Sequence, residues 1–376
     1  MTKYLFLTVL ILTAVTAYGQ TRPNNLKAGG VYVLTNQVAN SVMAFARRPS
    51  DGTLILMDNE PTQGAGNPVA IPPDPPTDAL ASQGSLIIDE DNEYLYAVNA
   101  ASNEITTLEI RPRGLEFVGK VPSGGIRPIS MAVCEDVLYV LNEGGTPNIT
   151  GFHVAEDGSL TPIPGSTQPL IGGAMADPAQ VGFSADGSVL IVTEKMGNRL
   201  DTYVVDDHGV AGPPTGNPSA GLTPFGFAVS GTGGLFVSEA FGGMPGQAAM
   251  SSYTTSPFGL LTVATPSVHN GQGASCWVVA VNCGHSLFVS NTLSGTISSY
   301  RSGRGASLEL VNAVAANTGA GSAPIDMTIT DNGHFLYVTQ SGLHTIGAYR
   351  NGVDGSLTKI GDFGTLPMGA QGIASK

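Results

Sequence analysis

Charged residues, cysteines and histidines are all scarce in this sequence. Charged side chains make up 12% of the 376 residues, and 29 acidic residues against 16 basic ones give a formal net charge of -13. An acidic chain without a cluster of Lys and Arg repels phosphate backbones, so we do not expect nucleic acid as a partner. The three cysteines and six histidines show no spacing typical of a metal site, and we expect no metal and no cofactor.

Long apolar runs are absent except at the N-terminus. Residues 1–19 combine Lys3, an apolar stretch over residues 4–17, and small residues at Ala17 and Gly19. This order is typical of a secretory signal peptide. A membrane anchor is the alternative, but the stretch is shorter than the roughly 20 residues that a bilayer span needs. We therefore expect a signal peptide at residues 1–19, a single domain at residues 20–376, no membrane contact, and a secreted or periplasmic protein.

Segments that favour long helices are also scarce, because the chain contains 50 glycines and 25 prolines. A short pattern recurs seven times instead: an apolar strand, a polar marker residue, a turn and a second strand. The seven marker residues, spaced 43 to 63 residues apart, are Asn36, Asn99, Asn142, Glu194, Glu239, Asn291 and Gln340.

Nearly every copy has a further apolar strand upstream and one downstream, which makes four antiparallel strands per repeat. A period near fifty residues with four strands predicts an all-β fold, a seven-bladed β-propeller. The first copy lacks its upstream strand, whereas residues 369–374 (GAQGIA) resemble an upstream strand without a continuation. We therefore expect this C-terminal strand to be the inner strand of the first blade, completed by residues 31–64, so that the ring closes without a free edge.

The marker residues predict a ring of polar side chains on one face of the propeller. Asn at the exit of a strand often caps a turn by hydrogen bonding to the local backbone, which explains the amides. The carboxylates Glu194 and Glu239, in the adjacent fourth and fifth blades, are less well explained in this way.

Basic residues lie close to these acids in the sequence. Lys195 and Arg199 follow Glu194, and Arg127 precedes the inner strand of the third blade at the position that Asp177 holds in the fourth. Arginine binds carboxylates bidentately, and a partly desolvated carboxylate can accept a proton. An ion pair at the surface of the rim is the alternative. The predicted catalytic residues are Glu194, Arg199 and Asp177, and the predicted substrate-binding residues are Arg127, Asn142, Glu239 and Lys195.

Four segments carry a resemblance to a known family: residues 124–128 (GGIRP), 138–142 (LYVLN), 184–187 (SADG) and 190–194 (LIVTE). They resemble the lactonase family of seven-bladed propellers, which includes bacterial 6-phosphogluconolactonase and fungal 3-carboxy-cis,cis-muconate lactonizing enzyme. The resemblance spans residues 30–376. It implies that Glu194 and Arg199 match an acidic residue and an arginine of the family. The chain reads ADPAQ at residues 176–180, where the family has a histidine, so either Asp177 or Glu194 replaces that histidine or this chain has lost the reaction.

Two functions follow as hypotheses. The first is a hydrolase or lyase that acts on a small-molecule lactone or its ring-opened carboxylate. Arg199, helped by Arg127, would hold the anion, and Glu194 or Asp177 would move the proton. The alternative is a non-catalytic propeller that binds a ligand or a protein partner on its rim.

Overall fold

The computed structural model describes residues 25–69, 77–89, 91, 93–281 and 284–376. These residues form seven β-sheets, which are the blades of a propeller, and a few single-turn 3₁₀ helices. The seven-bladed β-propeller predicted from the repeats is confirmed. The signal peptide predicted at residues 1–19 lies outside the described residues.

The strands of the first four blades follow one another along the chain. Three strands of blade 1 are β1 (Gly30–Leu34), β2 (Ser41–Arg47) and β3 (Leu54–Pro61). Blade 2 consists of β4 (Leu86–Ile88), β5 (Tyr94–Asn99), β6 (Glu104–Arg111) and β7 (Gly114–Pro122). Blade 3 consists of β8 (Ile126–Cys134), β9 (Val137–Gly144), β10 (Asn148–Val154), β11 (Leu160–Pro162) and the short β12 (Gln168–Pro169), which also pairs with β10. Blade 4 consists of β13 (Pro178–Phe183), β14 (Val189–Glu194), β15 (Arg199–Val204) and β16 (Thr215–Pro218).

The remaining blades repeat this arrangement, and the last strand returns to the first blade. Blade 5 consists of β17 (Pro224–Val229), β18 (Gly234–Glu239), β19 (Ala249–Thr255) and β20 (Leu261–His269). Blade 6 consists of β21 (Ser275–Val281), β22 (Ser286–Asn291), β23 (Thr296–Ser302) and β24 (Leu308–Asn317). Blade 7 consists of β25 (Pro324–Ile329), β26 (Phe335–Gln340), β27 (Thr345–Asn351) and β28 (Leu357–Phe363), and β29 (Ile373–Ser375) belongs to blade 1.

The helices are confined to single turns. Those that lie wholly within the described residues are Leu26–Ala28, Gly173–Met175, Phe241–Gly243 and Arg304–Ala306. Within the described ranges, no helix has the length and apolar character needed to span a bilayer.

The ring closes through the two ends of the chain. β29 pairs with β1 in an antiparallel register that places Val33 opposite Ile373 and Val31 opposite Ser375. Blade 1 therefore has the strand order β29-β1-β2-β3, with the C-terminal strand innermost. This closure, predicted from the incomplete first repeat, is confirmed, and it leaves β1 without a free edge.

The second strands of the blades are the most buried elements of the fold. β14, β18 and β26 are buried at every position. Because neighbouring blades cover both faces of these strands, their sequences are continuous apolar runs rather than alternating patterns. The outermost strands β20 and β24 are mostly exposed or half-buried. The hydrophobic core therefore lies between the blades.

Two buried tyrosines connect adjacent blades through their hydroxyl groups. The Oη atom of Tyr337 in blade 7 donates to the carbonyl of Gly52 in blade 1 at 2.8 Å. Tyr300 in blade 6 donates to Val268 in blade 5 at 3.0 Å. Each tyrosine ring thus fills the space between two sheets while its hydroxyl is satisfied by a backbone carbonyl.

Residues 77–84, which we name the axial segment, lie across the central channel. The Trp277 indole of blade 6 donates to the Ser82 carbonyl at 2.8 Å. The Gln83 backbone N–H donates to Ala179 of blade 4 at 3.0 Å. The Gln83 side chain also exchanges two hydrogen bonds with the backbone of Val278 in blade 6, at 2.8 and 2.9 Å. The Ser82 carbonyl also accepts from Gln371, next to β29 of blade 1, at 2.9 Å, so contacts with blades 1, 4 and 6 hold the segment across the channel.

Gln371, just before β29, secures the axial segment from blade 1, and its loss should destabilise the fold. Its buried amide accepts from the Leu80 N–H at 2.8 Å and donates to the Ser82 carbonyl at 2.9 Å. Gln371→Ala leaves the buried Leu80 N–H without a partner, whereas the Ser82 carbonyl keeps the hydrogen bond from Trp277. Because one unsatisfied buried group costs about 1–3 kcal/mol, chemical denaturation should show a free energy of unfolding lower by about that amount.

The matched control is Gln247→Ala, at an exposed glutamine. Its free energy of unfolding should stay within about 0.5 kcal/mol of the wild-type value. Equal effects of the two substitutions would contradict the role of Gln371.

Candidate functional site

The seven marker residues lie within two residues of the end of the second strand in every blade. All seven are completely buried, with 0% exposure. In blades 3 to 7 each marker pairs in register with one residue near the start of the inner strand, and a β-bulge follows it. Those partner residues are Pro128, Pro178, Pro224, Ser275 and Pro324. The ring of markers is thus interior to the blades and does not form an open polar rim.

The marker amides connect strands. Asn99 donates to Thr106 of the third strand at 2.8 Å, and its carbonyl oxygen accepts from Asn40 and Thr62 of blade 1 at 2.9 and 2.6 Å. Asn291 likewise donates to two hydroxyl groups of β23. These hydrogen bonds join different strands and, for Asn99, different blades. They differ from the expected caps, in which each amide would bond to the backbone of its own turn.

The residue before each inner-strand Pro or Ser has an unusual backbone conformation. Its φ angle is positive in five blades: 55° at Arg127, 46° at Asp177, 56° at Thr223, 54° at Ala274 and 42° at Ala323. Positive φ is rare for residues other than glycine, and a residue before proline is normally extended. The same strained conformation in five repeats shows that the blade architecture imposes it.

Three of these positions line a pocket at one mouth of the channel. The pocket has a volume of about 460 Å³, and its walls come from blades 4, 5 and 6 and from the axial segment. Its polar lining includes Asp78, Asp177, Lys195, Thr223 and Thr292. We name this cavity the channel-mouth pocket.

Lys195 is the basic residue of this lining, and it is nearly buried, with 6% exposure. Its Nζ lies 3.0 Å from Oδ1 of Asp177 and 3.2 Å from the carbonyl oxygen of Ala81 in the axial segment. Nζ also lies 5.3 Å from the centre of the Phe225 ring, within cation–π range. Asp177 is more accessible, with 23% exposure of its side chain. The pocket therefore presents an ammonium and a carboxylate side by side.

An aromatic pair supports the pocket. The ring centres of Phe225 and Trp277 are 4.8 Å apart. The Phe225 carbonyl accepts a hydrogen bond from Thr193 of blade 4 at 2.6 Å, and Ser238 of blade 5 donates to the carbonyl of Cys276. Because these bonds join three neighbouring blades, they hold the inner strands, and the pocket residues on them, in one arrangement.

Glu194 and Arg199 form a separate cluster in blade 4, and neither lines the channel-mouth pocket. Oε2 of Glu194 lies 2.9 Å from Nε of Arg199, and Oε1 accepts from the Gly172 N–H at 2.9 Å. Asp201, buried on the same strand as Arg199, accepts from the Ile171 N–H at 2.8 Å. The two carboxylates therefore hold the loop that leads through residues 173–176 to Asp177.

Burial raises the pKa of Asp201 to about 7, and a hydrogen bond with the Glu194 carboxylate acts in the same direction. Two adjacent buried carboxyl groups that face one guanidinium are most stable when they share a proton. Below about pH 7, Asp201 thus carries a proton that it donates to Glu194, and it still accepts from the loop.

The other three predicted residues lie apart from the pocket lining. Arg127 is buried, forms an ion pair with Glu143 and donates to the Ala79 carbonyl of the axial segment at 3.0 Å. Asn142 donates to the Ser123 carbonyl at 3.2 Å and to the side chain of Asn148 at 3.0 Å.

Glu239 is enclosed by hydroxyl groups in blade 5. It accepts from Ser251 and, at 2.7 Å, from Ser267. Burial raises the pKa of Glu239, and the hydrogen bonds to these serines partly oppose the rise.

The structure thus brings Asp177 and Lys195 together at the pocket and groups Glu194 with Arg199 elsewhere. Sequence reasoning missed Asp78, Phe225 and Cys276. One recurring signal could have found part of the lining: the residue directly before an inner-strand Pro or Ser. No comparable signal marks Asp78, which reaches the pocket from the axial segment. Among the described residues, no three His, Cys, Asp or Glu side chains meet in a way that suits a metal ion.

These features define the class of protein, a seven-bladed β-propeller in which a segment across the central channel helps to line a pocket. The family described as "Lactonase, 7-bladed beta-propeller" matches residues 31–170, which cover the first three blades apart from β29. The resemblance to the lactonase family predicted from the motifs is thereby confirmed over these residues. A comparison with curated proteins finds no match.

Several solved structures share the fold. A provisionally assigned 6-phosphogluconolactonase from Bacteroides uniformis is 17% identical, with a TM-score of 0.69 over 93% of this chain and 99% of that one. A periplasmic gluconolactonase from Pseudomonas aeruginosa is 14% identical, with a TM-score of 0.69 over 92% of this chain and 98% of that one. Virginiamycin B lyase from Staphylococcus aureus is 14% identical, with a TM-score of 0.51 over 74% and 84%. At these identities the likeness is one of fold.

The Asp201→Asn substitution should make stability less dependent on pH. The unfolded chain loses this proton near pH 3.8, the ordinary pKa of an aspartic acid, but the folded protein keeps it until about pH 7. The wild type therefore loses stability as the pH rises between these values. Asparagine can keep both contacts, because its carbonyl accepts from Ile171 and its amide donates to Glu194. Thermal unfolding from pH 4 to pH 8 should show a flatter profile and a higher Tm at pH 8.

Asp207→Asn, at an exposed aspartate in a nearby turn, provides the control and should follow the wild-type profile. If the plot of Tm against pH for Asp201→Asn ran parallel to that of the wild type, the interpretation that Asp201 and Glu194 share a proton would be wrong.

Proposed function

We propose that this protein is a lactone hydrolase and that the reaction takes place in the channel-mouth pocket. The observation that carries the proposal is the pair of Lys195 and Asp177, 3.0 Å apart at the wall of a pocket in a lactonase-type propeller. Ring opening of a lactone needs an electrophile for the carbonyl oxygen and a base for water, and this pair supplies one of each.

The chemistry follows from the two charges. The Lys195 ammonium stabilises the negative charge that develops on the lactone carbonyl oxygen. Asp177 is the more exposed partner. It accepts a proton from a water molecule while the oxygen of that water bonds to the carbonyl carbon of the lactone. The ring C–O bond then breaks, and the proton passes from Asp177 to the released alkoxide oxygen. The product is a hydroxy acid, and the carboxylate of Asp177 is regenerated.

The sequence analysis assigned catalytic roles to Glu194 and Arg199, and we propose positioning roles for both. Glu194 is completely buried and bound to the loop before Asp177. Arg199 compensates its charge. Arg127 donates a hydrogen bond to the carbonyl of Ala79, the neighbour of Asp78, so it too positions a pocket residue without lining the pocket. Asn142 and Glu239, whose bonds lie within their own blades, stabilise strand exits.

We also propose that the mature protein is exported. The support is the N-terminal sequence, in which Lys3 precedes an apolar stretch and a pair of small residues. A structural neighbour from Pseudomonas aeruginosa is a periplasmic gluconolactonase.

Hydrolysis of a panel of uncharged lactones by residues 20–376 tests the catalytic proposal. Asp177→Asn and Lys195→Met should each lower kcat/KM by about 100-fold or more, because each removes a group that acts in the transition state. Arg199→Lys should lower it far less, since a lysine can still compensate the charge of Glu194. Circular dichroism and Tm measurements establish that each variant is folded.

Lys359→Met is the matched control, because Lys359 forms an exposed ion pair with Asp362 in the outer strand of blade 7. Its activity should equal that of the wild type. A folded wild-type protein that opens no lactone would overturn the proposal and favour a propeller that binds a ligand or a protein partner. Full activity in both pocket variants would place the reaction elsewhere.

A further inference from the structure

The charges that line the channel-mouth pocket are unusual for a site that accepts an anion. Two carboxylates, Asp78 and Asp177, face one ammonium, that of Lys195. We propose that this pocket selects uncharged lactones with an apolar substituent and rejects phosphorylated ones. The inference rests on the proposed function and adds the class of substrate.

Each of the basic side chains near the channel already forms an ion pair with a carboxylate of the protein. Lys195 contacts Asp177 and the Ala81 carbonyl. Arg127 is paired with Glu143 and Arg199 with Glu194, and neither arginine lines the pocket. Phosphate recognition in proteins relies on arginine forks, lysines and backbone N–H groups that point at the anion. A phosphate dianion in this pocket would have to approach two carboxylates with a single, already engaged cation to balance it.

The rest of the lining is apolar. Phe225 and Cys276, 5% and 7% exposed, form the deeper wall. Met196 and Leu293 line the pocket too, and they are exposed, by 57% and 63%. When a ligand covers large apolar side chains of this kind and removes them from water, the free energy of binding becomes more favourable. An alkyl or aryl substituent of a lactone would fit against these residues while its ring carbonyl lies at Lys195.

The structural neighbour from Bacteroides uniformis is provisionally assigned to a phosphorylated substrate, and the fold likeness by itself does not extend that substrate to this chain. The same scaffold can take different ligands, because the side chains before the inner strands differ from blade to blade. In this chain, the pocket positions hold Asp177, Thr223 and Ala274, which include no cation.

The test compares three lactones with the same six-membered ring: δ-decalactone, glucono-δ-lactone and 6-phosphoglucono-δ-lactone. For the wild-type chain of residues 20–376, kcat/KM should be highest for δ-decalactone and at least 100-fold lower for the phosphorylated lactone. Leu293→Asp should raise KM for δ-decalactone at least tenfold and change KM for glucono-δ-lactone less than threefold, because only the former covers the apolar wall.

Leu343→Asp is the matched control, since Leu343 is 43% exposed in the equivalent loop of blade 7 and does not line the pocket. Its kinetics should equal those of the wild type. Turnover of the phosphorylated lactone at a rate comparable to that of δ-decalactone would overturn this inference and leave the hydrolase proposal intact. Equal effects of Leu293→Asp and Leu343→Asp would also overturn it.

Calorimetry separates the inference from a failure of the catalytic proposal. The probes are 6-pentyl-2-piperidinone, an uncharged lactam that resists hydrolysis, and 6-phosphogluconate. If no lactone is opened, binding of the lactam by the wild type, its weakening at least tenfold in Leu293→Asp, and no binding of 6-phosphogluconate would still support the ligand class. Binding of 6-phosphogluconate in preference to the lactam would refute it.

Discussion

The pairing of β29 with β1 is the contact on which the rest of the structure depends. Seven twisted sheets arranged in a ring bury their second strands only if the first and last blades meet, and three residues at the C-terminus complete that contact. The same stretch of chain carries Gln371, which fixes the axial segment. Residues 371–375 therefore both complete the ring and hold the axial segment. The shape of the channel-mouth pocket depends on both the ring and the axial segment, because its walls come from three blades and from that segment.

The repeat builds the site by holding one backbone position constant and varying its side chain. The residue before the inner-strand Pro or Ser is left-handed in five blades, and it carries a different side chain in most of them, from the arginine of blade 3 to the alanines of blades 6 and 7. A strained position that recurs costs folding free energy each time, and the surrounding bulge and marker contacts maintain it. In blade 4 this position is Asp177, next to Lys195 in space.

Several acidic side chains are buried in the fold, and their pKa values are raised. Burial raises the pKa values of Asp201, Glu239 and Asp326, the last of these on the inner strand of blade 7. Each folded-state carboxyl group keeps its proton at a pH where the unfolded chain has lost it, so each contributes a stability that declines as the pH rises. The loop that positions Asp177 depends on two carboxylates, Glu194 and Asp201, and the site and the pH dependence of folding are connected through them.

The amino-acid sequence by itself determined the blade count, the strand pattern and the closure of the ring, because apolar runs and turn residues recur locally and each repeat can be compared with the next. It also pointed to Asp177 and Lys195, which lie near one marker residue. Only the tertiary structure decided that Glu194 is buried behind the pocket and that Asp78, Phe225 and Leu293 join its lining. The reason is physical: burial and proximity depend on how separate blades pack around the axis, and the one recurring local signal, the residue before an inner-strand Pro or Ser, marks only part of the lining.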